Sequence, residues 1–493
     1  MRWWLRVAIP LIATAAIVAP LAWFWQASRV PAEFSVMDMG YLDYGGGPVP
    51  DHGDHAGGHG SHPPAVSVAD LTAEPKRPAD VRRQLVTRAA TLNIGGRAME
   101  GFTVNDTSPG PTIIVRQGQL IEVEVQNESV TAGVSMHWHG VNVPNAMDGV
   151  AGVTQNAIGV GESFVYRFEV ADAGSFWYHS HQVSNTQVLG GLFGALVVLP
   201  SRGPPAGNLD VTAVAHTYTG VRTINGVPAD LRVAARPGQR VRLRVVNTDN
   251  APMEIWAGGP YRVLAIDGTD IRGPTPVSGE ATTLTAGGRA DIEVRMPADG
   301  SPVRVQLSRA TAVLLGAAGR DAPAPVQPTK PLDLLQYGTS AAIGLDPARA
   351  TRRFEYVIGR VPGFVKGRPG MWWSVNGHLY PDVPMYVVRR GEVATMRIEN
   401  RSGEVHPMHL HGHRALVLSR NGIRSTGSPW WVDSLNVLDK ESYEIAFRAD
   451  NPGIWMDHCH NLQHAAEGMI AHLMYEGVDT PYRVGGTVDN QPE

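Results

Sequence analysis

Four short histidine-rich stretches carry the side chains best suited to chemistry. They are His137-Trp138-His139-Gly140, His179-Ser180-His181, the run from His406 through His409, His411 and His413, and His458-Cys459-His460 followed by His464 and Met469. On an extended strand, residues two apart face the same way and neighbours face opposite ways. Each His-x-His pair therefore presents two imidazoles to one centre. In His458-Cys459-His460 the histidines face one way and the thiolate the other, so a metal held by the sulfur is covalently joined to a second centre. The odd step from His406 to His409 sends His406 to the cysteine's side and His409 and His411 to the other, if that segment is extended. Two sites follow. One combines a thiolate, two imidazoles and a thioether, the donor set of a blue copper centre. Structural zinc would want more cysteines or a closed tetrahedron, and Cys459 is the chain's 1 cysteine. The other site has only imidazoles, too many for a single ion and suited to several coppers with an open face for oxygen. A cluster of that kind delivers electrons to dioxygen together instead of releasing reactive intermediates one at a time.

So many ligands need a rigid frame, and the sequence repeats one three times. Arg116 to Asn127 reads RQGQLIEVEVQN, Arg236 to Asn247 reads RPGQRVRLRVVN, and Arg389 to Asn400 reads RRGEVATMRIEN. Self-similarity of this kind marks repeated structural units. In the first two copies apolar residues alternate with charged ones (Ile121, Val123, Val125; Val241, Leu243, Val245), as in a strand with one face on a core. Each copy follows a turn built on Asn105-Asp106, Asn225-Gly226 or Asn376-Gly377. Each also precedes a second shared segment that opens on Ala-Asp, at Ala171, Ala298 and Ala449, and leads into an apolar strand. That strand ends in histidines in the first and third copies but not in the second. Metal chemistry therefore belongs to the outer two units, with the middle one a spacer. A chain of 493 residues, 43% hydrophobic and with 55 Gly and 37 Pro, has room for three domains and the turn content of sheets. The expected organisation is all-β, with domains over 82–205, 206–330 and 331–485.

The chain starts with Arg2 and Arg6 flanking an uncharged apolar run from Val7 to Trp25, which is long enough to cross a bilayer. Residues 1–26 read as a signal peptide or signal anchor. The absence of an A-x-A site before Gln26 favours the anchor, and the positive flank leaves the rest extracytoplasmic. Residues 27–81 read as a disordered His/Gly-rich linker, with DHGDHAGGHGSH at 51–62. Its His52, His55, His59 and His62 are read equally as a transient metal trap or as solvated low-complexity chain. A net charge of -4 without a basic stripe excludes nucleic acid as a partner and leaves the membrane and small molecules.

Over about residues 82–480 the sequence resembles the multicopper oxidases, the family of laccases, bacterial copper-efflux oxidases and spore-coat oxidases. The resemblance implies three consecutive cupredoxin-like Greek-key β-sandwich domains holding four copper ions, one of type 1, one of type 2 and a type 3 pair. It implies His406, Cys459 and His464 as type 1 ligands with Met469 as the weak axial one, and His137 and His409 as type 2 ligands. It implies His139, His179, His181, His411, His458 and His460 as type 3 ligands. Substrate would be oxidised near the type 1 copper, with electrons passing through Cys459 and its flanking histidines to reduce dioxygen to water. An axial Met is expected to lower the type 1 potential relative to relatives with Leu or Phe.

Oxygen reduction consumes protons, so an acid is expected beside the cluster. Asp148, in the Met147-Asp148-Gly149 turn, matches the family's aspartate there, although an Asp before Gly also serves simply to make a turn. Bacterial relatives often carry Glu directly after the type 1 histidine, where this chain has Ala465; Glu467 is the nearest acid and becomes the second catalytic candidate. His413, His216, His378 and His472 read as structural, and Trp430 and Trp431 as pocket rim or aromatic packing. The expected activity is laccase-like oxidation of phenols or aromatic amines by dioxygen. An alternative is extracytoplasmic oxidation of Cu(I), Fe(II) or Mn(II). The copper-efflux branch carries Met and Asp before its first type 1 histidine and a Met-rich insertion, whereas Ser402 and Glu404 stand here without a Met cluster. A non-catalytic copper-binding or structural cupredoxin protein is a third possibility, opposed by the intact ligand set. A two-domain nitrite reductase is opposed by the His458 and His460 pair.

Overall fold

The computed structural model describes residues 3–49, 65–72, 77–203 and 207–493. After helix α1 (Trp3–Ala27), strands dominate and their sheets fall into three pairs. We label strands β1 (Tyr41–Asp43), β2 (Val81–Ile94), β3 (Arg97–Val104), β4 (Ile113–Arg116), β5 (Leu120–Asn127), β6 (His137–His139), β7 (Ser163–Glu169), β8 (Gly174–His179) and β9 (Phe193–Leu199). The first pair orders as β3-β2-β5-β7 and β4-β9-β8-β6. The middle pair comprises two six-stranded sheets, one of them containing β10 (Leu209–Tyr218), β11 (Arg240–Asn247) and β12 (Arg289–Arg295).

The third pair uses β13 (Arg352–Val365), β14 (Arg368–Val375), β15 (Pro384–Val388), β16 (Val393–Asn400), β17 (His406–Leu410), β18 (Ser434–Val437), β19 (Ser442–Arg448), β20 (Ile454–Cys459) and β21 (Ile470–Tyr475). Its six-stranded sheet runs β1-β15-β21-β20-β17-β18, and its eight-stranded sheet contains β14-β13-β16-β19. Two short helices, α2 (Ser184–Leu189) and α3 (Leu462–Ala466), follow the histidine strands β8 and β20.

The sequence repeat reappears as one pairing used three times. β2 runs parallel to β5, β10 to β11 and β13 to β16, while β7, β12 and β19 lie antiparallel on the other side. The repeated asparagines explain themselves here. Asn127, Asn247 and Asn400 are buried, and their side-chain amides donate to loop carbonyls of Ile158, Thr285 and Val437 at 2.8, 3.0 and 2.9 Å. They satisfy loop backbone that would otherwise be buried without partners. Asn105, Asn225 and Asn376 hold positive φ in the hairpin turns, and their Oδ1 atoms accept from the amides of Val86, Val214 and Val357. Asn tolerates that conformation better than other residues with a Cβ.

The stretch 27–81, expected as a disordered linker, is corrected in part. β1 pairs parallel with β15, Glu33–Phe34 pairs with Val484–Gly485, and Val66–Ser67 pairs with Val478–Asp479. Phe34, Val36, Met39 and Val68 are buried, so these short pieces bring enough apolar surface to be held on the third pair of sheets. The buried guanidinium of Arg352 donates to the carbonyls of Tyr44 and Pro48 at 3.1 and 3.0 Å. The histidine-rich run 51–62 lies outside the described residues. Within α1, Val7–Ala27 is 21 residues long with mean hydropathy 2.1, and none of its most apolar stretch is buried against the rest of the chain. At its foot the backbone amide of Gly367 donates to Ser28 Oγ at 3.2 Å.

Candidate metal centres

The sulfur-centred site forms where β17 and β20 run side by side, with Met408 opposite Cys459 and His409 opposite His458. His406, at the start of β17, brings Nδ1 to 3.6 Å from Cys459 Sγ. His464, carried by α3, brings its Nδ1 to 3.7 Å from the same sulfur and 3.2 Å from His406 Nδ1. The Nε2–H of His406 donates to Ser402 Oγ at 2.8 Å, which leaves Nδ1 with a free lone pair. Met469 is buried, and its carbonyl accepts from the amide of Cys459 at 3.2 Å, so the loop after α3 folds back onto the cysteine. The indole of Trp373, on β14, covers both imidazoles, with ring centroids 4.9 Å from His406 and 4.3 Å from His464. Burial pushes the Cys459 thiol far above its ordinary range and holds His406 down at about 3. The imidazoles stay neutral donors, and the sulfur ionises only against a cation.

On the opposite face of the same strands, β17 and β20 of the third sandwich meet β6 and β8 of the first. Register pairs His137 with His179 across β6 and β8. His137 and His409 face each other at 3.5 Å between Nε2 atoms, and His411 and His458 at 3.1 Å. His137, His139 and His179 form one group able to hold a metal, His181, His411 and His458 another, and His137, His409 and His411 a third. The ring of His460 stacks at the edge of this set, 4.9 Å from His139 and 5.6 Å from His179.

Peripheral hydrogen bonds fix which nitrogen each ring turns inward. Nδ1 of His409, His179 and His181 donates to the carbonyls of Asp433, Ser180 and Pro492 at 2.7, 3.0 and 2.9 Å. Nε2 of His179 and His181, Nδ1 of His139 and both nitrogens of His460 are then buried with no hydrogen-bond partner among the described residues. Unpartnered buried nitrogens are costly and rare. Converging neutral imidazole lone pairs are what copper ions bind, so the residues present fit the metal that the sequence implies. Burial holds His139, His179, His409, His411 and His460 well below the ordinary imidazole value, with mutual repulsion adding to it. Burial likewise lowers His181 to about 4 and His458 to about 3.

Asp148 sits inside this cluster. Its Oδ1 lies 3.1 Å from His137 Nδ1, and its Oδ2 lies 3.0 Å from His411 Nδ1. Gly149 makes the turn possible, since at φ +80 a Cβ there would fall 1.9 Å from the Met136 carbonyl oxygen. Glu467 does not join Asp148. The short helix α3 turns its carboxylate toward the sulfur-centred site, where it accepts from Trp373 Nε1 and Gln463 Nε2, both at 2.8 Å.

Two further carboxylates have no signal in the histidine motifs. Asp433 Oδ1 lies 3.1 Å from His139 Nε2, and both its oxygens accept from the buried guanidinium of Arg289 at 2.6 Å. Glu493 is buried, with Oε1 3.0 Å from His458 Nδ1 and 3.7 Å from His181 Nε2. Spacing cannot reveal either one, because the fold and not local sequence brings it to the cluster. His413 fills the structural role expected of it, donating from one nitrogen to the His411 carbonyl and meeting Tyr475 Oη at 2.6 Å with the other.

A cleft of about 1090 Å³ opens between the second and third sandwiches, lined by Met253, Trp256, Trp430, Asn436 and Tyr443 among others. Trp430 lines it and Trp431 does not. It runs along β18, whose Val437 pairs with His406.

Comparison with known proteins agrees with this geometry. Two multicopper oxidase family models match residues 86–203 and 360–477. Multicopper oxidase MmcO of Mycobacterium tuberculosis is 29% identical over 483 residues, covering 84% of this chain and 92% of that protein. Laccase-1 of Botryotinia fuckeliana is 27% identical, covering 79% and 81%. The crystal structure of a multicopper oxidase from Pseudomonas thermotolerans superposes with TM-score 0.67 at 26% identity, over 81% of this chain and all (100%) of that one. The chain belongs to the multicopper oxidase family and is a copper-dependent oxidoreductase of three cupredoxin-like β-sandwiches.

Proposed function

We propose that the protein oxidises phenols or aromatic amines one electron at a time and transfers four electrons to dioxygen, forming water with four protons. The observation that carries this reading is Cys459, whose sulfur faces His406 and His464 while its neighbours His458 and His460 face the histidine cluster. A single strand thereby supplies a covalent path from an electron-accepting site to a multi-ligand one. Four copper ions, when bound, supply the one-electron redox chemistry and the site for oxygen. His406, Cys459 and His464, with Met469 in the axial position, would hold the type 1 ion. His137 and His409 would hold the type 2 ion, and His139, His179, His181, His411, His458 and His460 the type 3 pair. Asp148 orients His137 and His411 and is the acid through which protons reach the cluster. The cleft beside β18, where Trp256, Trp430 and Tyr443 stand among charged side chains such as Asp249 and Arg420, suits a planar aromatic donor with polar substituents.

A second reading, oxidation of Cu(I), Fe(II) or Mn(II), is favoured by the carboxylates at the sulfur-centred site. Glu404 Oε2 lies 3.7 Å from His464 Nε2, and Glu467 lies behind Trp373. One relative is described as an iron transport multicopper oxidase, fetC of Epichloe festucae, at 25% identity. Oxygen uptake by the full chain with a phenol and with Fe(II) separates the readings when repeated on Glu404→Gln paired with Glu467→Gln. The phenol reading expects phenol oxidation to survive the pair of substitutions. A selective loss of Fe(II) oxidation from an otherwise faster Fe(II) rate supports the metal reading.

We also infer that α1 anchors the enzyme in a membrane with the sandwiches on the extracytoplasmic side, on the strength of its uncovered apolar surface. Full chain that floats with vesicles after alkaline washing is the expected result. A chain recovered in solution from a secreting host without residues 1–26 would replace the anchor with a cleaved signal peptide.

A further inference from the structure

We propose that Glu493 is a positioning residue and counter-charge for the metal cluster, delivered by a strap of residues 489–493 laid across its His181 and His458 side. The strap is fastened to the first sandwich by main chain and side chains alike. The amide of Val183 donates to the carbonyl of Gln491 at 2.6 Å, and the amide of Gln491 donates to Gln182 Oε1 at 2.8 Å. Gln182 Nε2 donates to the carbonyl of Asp489, Asn490 Oδ1 accepts from the amide of Ala157, and Ser184 Oγ donates to the carbonyl of Pro492, each at 2.8 Å. The Pro492 carbonyl also accepts from His181 Nδ1, so the strap itself decides which nitrogen His181 turns toward the cluster. Such outer contacts orient a ligand and raise its basicity.

The same strap places a carboxylate where it has no protein reason to be. Ser184 Oγ donates to Glu493 Oε2 at 3.0 Å, but Oε1 is buried with no hydrogen-bond partner among the described residues. That oxygen lies 3.0 Å from His458 Nδ1, which likewise has no hydrogen-bond partner among the described residues, and 3.7 Å from the unpartnered Nε2 of His181. His458 Nε2 faces His411 Nε2 at 3.1 Å inside the cluster, so as a metal ligand His458 keeps its proton on Nδ1, while His181 turns the lone pair of Nε2 toward the cluster beside Oε1. A buried carboxylate in that position is unfavourable unless a cation faces it. His181, His411 and His458 form one of the groups able to hold a metal, and the cation they gather balances the charge of Glu493. The histidine motifs do not assign this residue any role.

The inference rests on the reading that the cluster binds copper, and the copper content of the unsubstituted chain tests that reading separately. The experiment compares Glu493→Gln and Glu493→Asp with the parent, all copper-loaded full chains whose blue band reports an intact sulfur-centred site. The readouts are the rate at which a chelator strips cluster copper and the affinity for azide. Glu493→Gln keeps the size and the Ser184 contact but removes the charge. It is expected to lose cluster copper about 10–100-fold faster, the usual cost of losing an outer partner of a metal ligand. It is also expected to bind azide at least about tenfold more tightly, since an anion beside the metal no longer opposes it. Glu493→Asp keeps the charge and stays closer to the parent in both readouts. If Glu493→Gln matches the parent in both readouts, or if Glu493→Asp departs from the parent as far as Glu493→Gln does, the assignment of charge to Glu493 is wrong.

Discussion

Imidazoles this deeply buried are useful as ligands only if they stay neutral and turn the correct nitrogen inward, and both conditions are set by individual partners. Asp148 holds two rings at once, His137 through its main-chain carbonyl at 2.9 Å and His411 through Oδ2 at 3.0 Å, and an amide in its place removes the ionisable group between them. Asp148→Asn is expected to lower oxygen reduction about 10–100-fold while the blue band and its reduction by substrate are retained. Stopped-flow reduction without oxygen, followed by reoxidation, measures the two halves separately.

His216 shows the same chemistry without a metal. Held between Phe193 and Tyr218, it is pushed down to about 4 by burial. The folded chain therefore keeps it neutral while the unfolded chain, at about 6.5, takes up a proton, so stability falls as pH drops from about 6.5 toward 4. Replacing His216 with Gln should flatten that part of the stability curve, by at most about 3 kcal/mol, as read by denaturant midpoints at pH 7 and pH 4.5. At this scale the convergence of the histidines and Cys459 on two places was legible because spacing on strands encodes the face each residue occupies, while the division into copper types came from the family resemblance. Glu493 and Asp433 were not, since nothing local links them to a histidine. Glu467 was singled out as the acid nearest the type 1 histidine in sequence, and it lies at the sulfur-centred site, where it accepts from Trp373 Nε1.

Elements matter here through close approach. Gly287, in the turn before β12 of the middle sandwich, has φ +73, and a Cβ there would fall 2.9 Å from atoms of both His139 and His460. The ligand-free unit is therefore more than a spacer, because its backbone forms one wall of the cluster. Gly287→Ala is expected to reduce cluster copper while leaving the blue band in place, which elemental analysis alongside a visible spectrum would reveal. A full complement of copper in that variant would show that the wall yields. The triple repeat was visible in sequence because apolar alternation and the buried asparagines recur at fixed offsets. The strands within 33–43 and 66–67 were not, because two- and three-residue strands are too short to show a period.

The whole molecule joins its first and third sandwiches through the cluster, since β6 and β8 contribute four of the histidines and their loops while β17 and β20 contribute the rest. Metal bound between them favours the folded state by mass action, about 2.7 kcal/mol at a free concentration one hundred times the dissociation constant. Copper-stripped protein should therefore unfold at a lower temperature than loaded protein, with the difference growing as copper is added. Calorimetry at several copper concentrations checks this.

In the proposed function, one strand through Cys459 couples an electron-accepting copper to an oxygen-reducing cluster. The most direct test is copper content, visible spectrum and oxygen uptake with a phenol, measured on the full chain and on Cys459→Ser. About four coppers and an intense blue band are expected in the parent, and in the variant one copper fewer, no blue band and no oxygen uptake. A copper-loaded parent with neither blue band nor oxygen uptake, or a Cys459→Ser variant that still consumes oxygen at the parent rate, would contradict it.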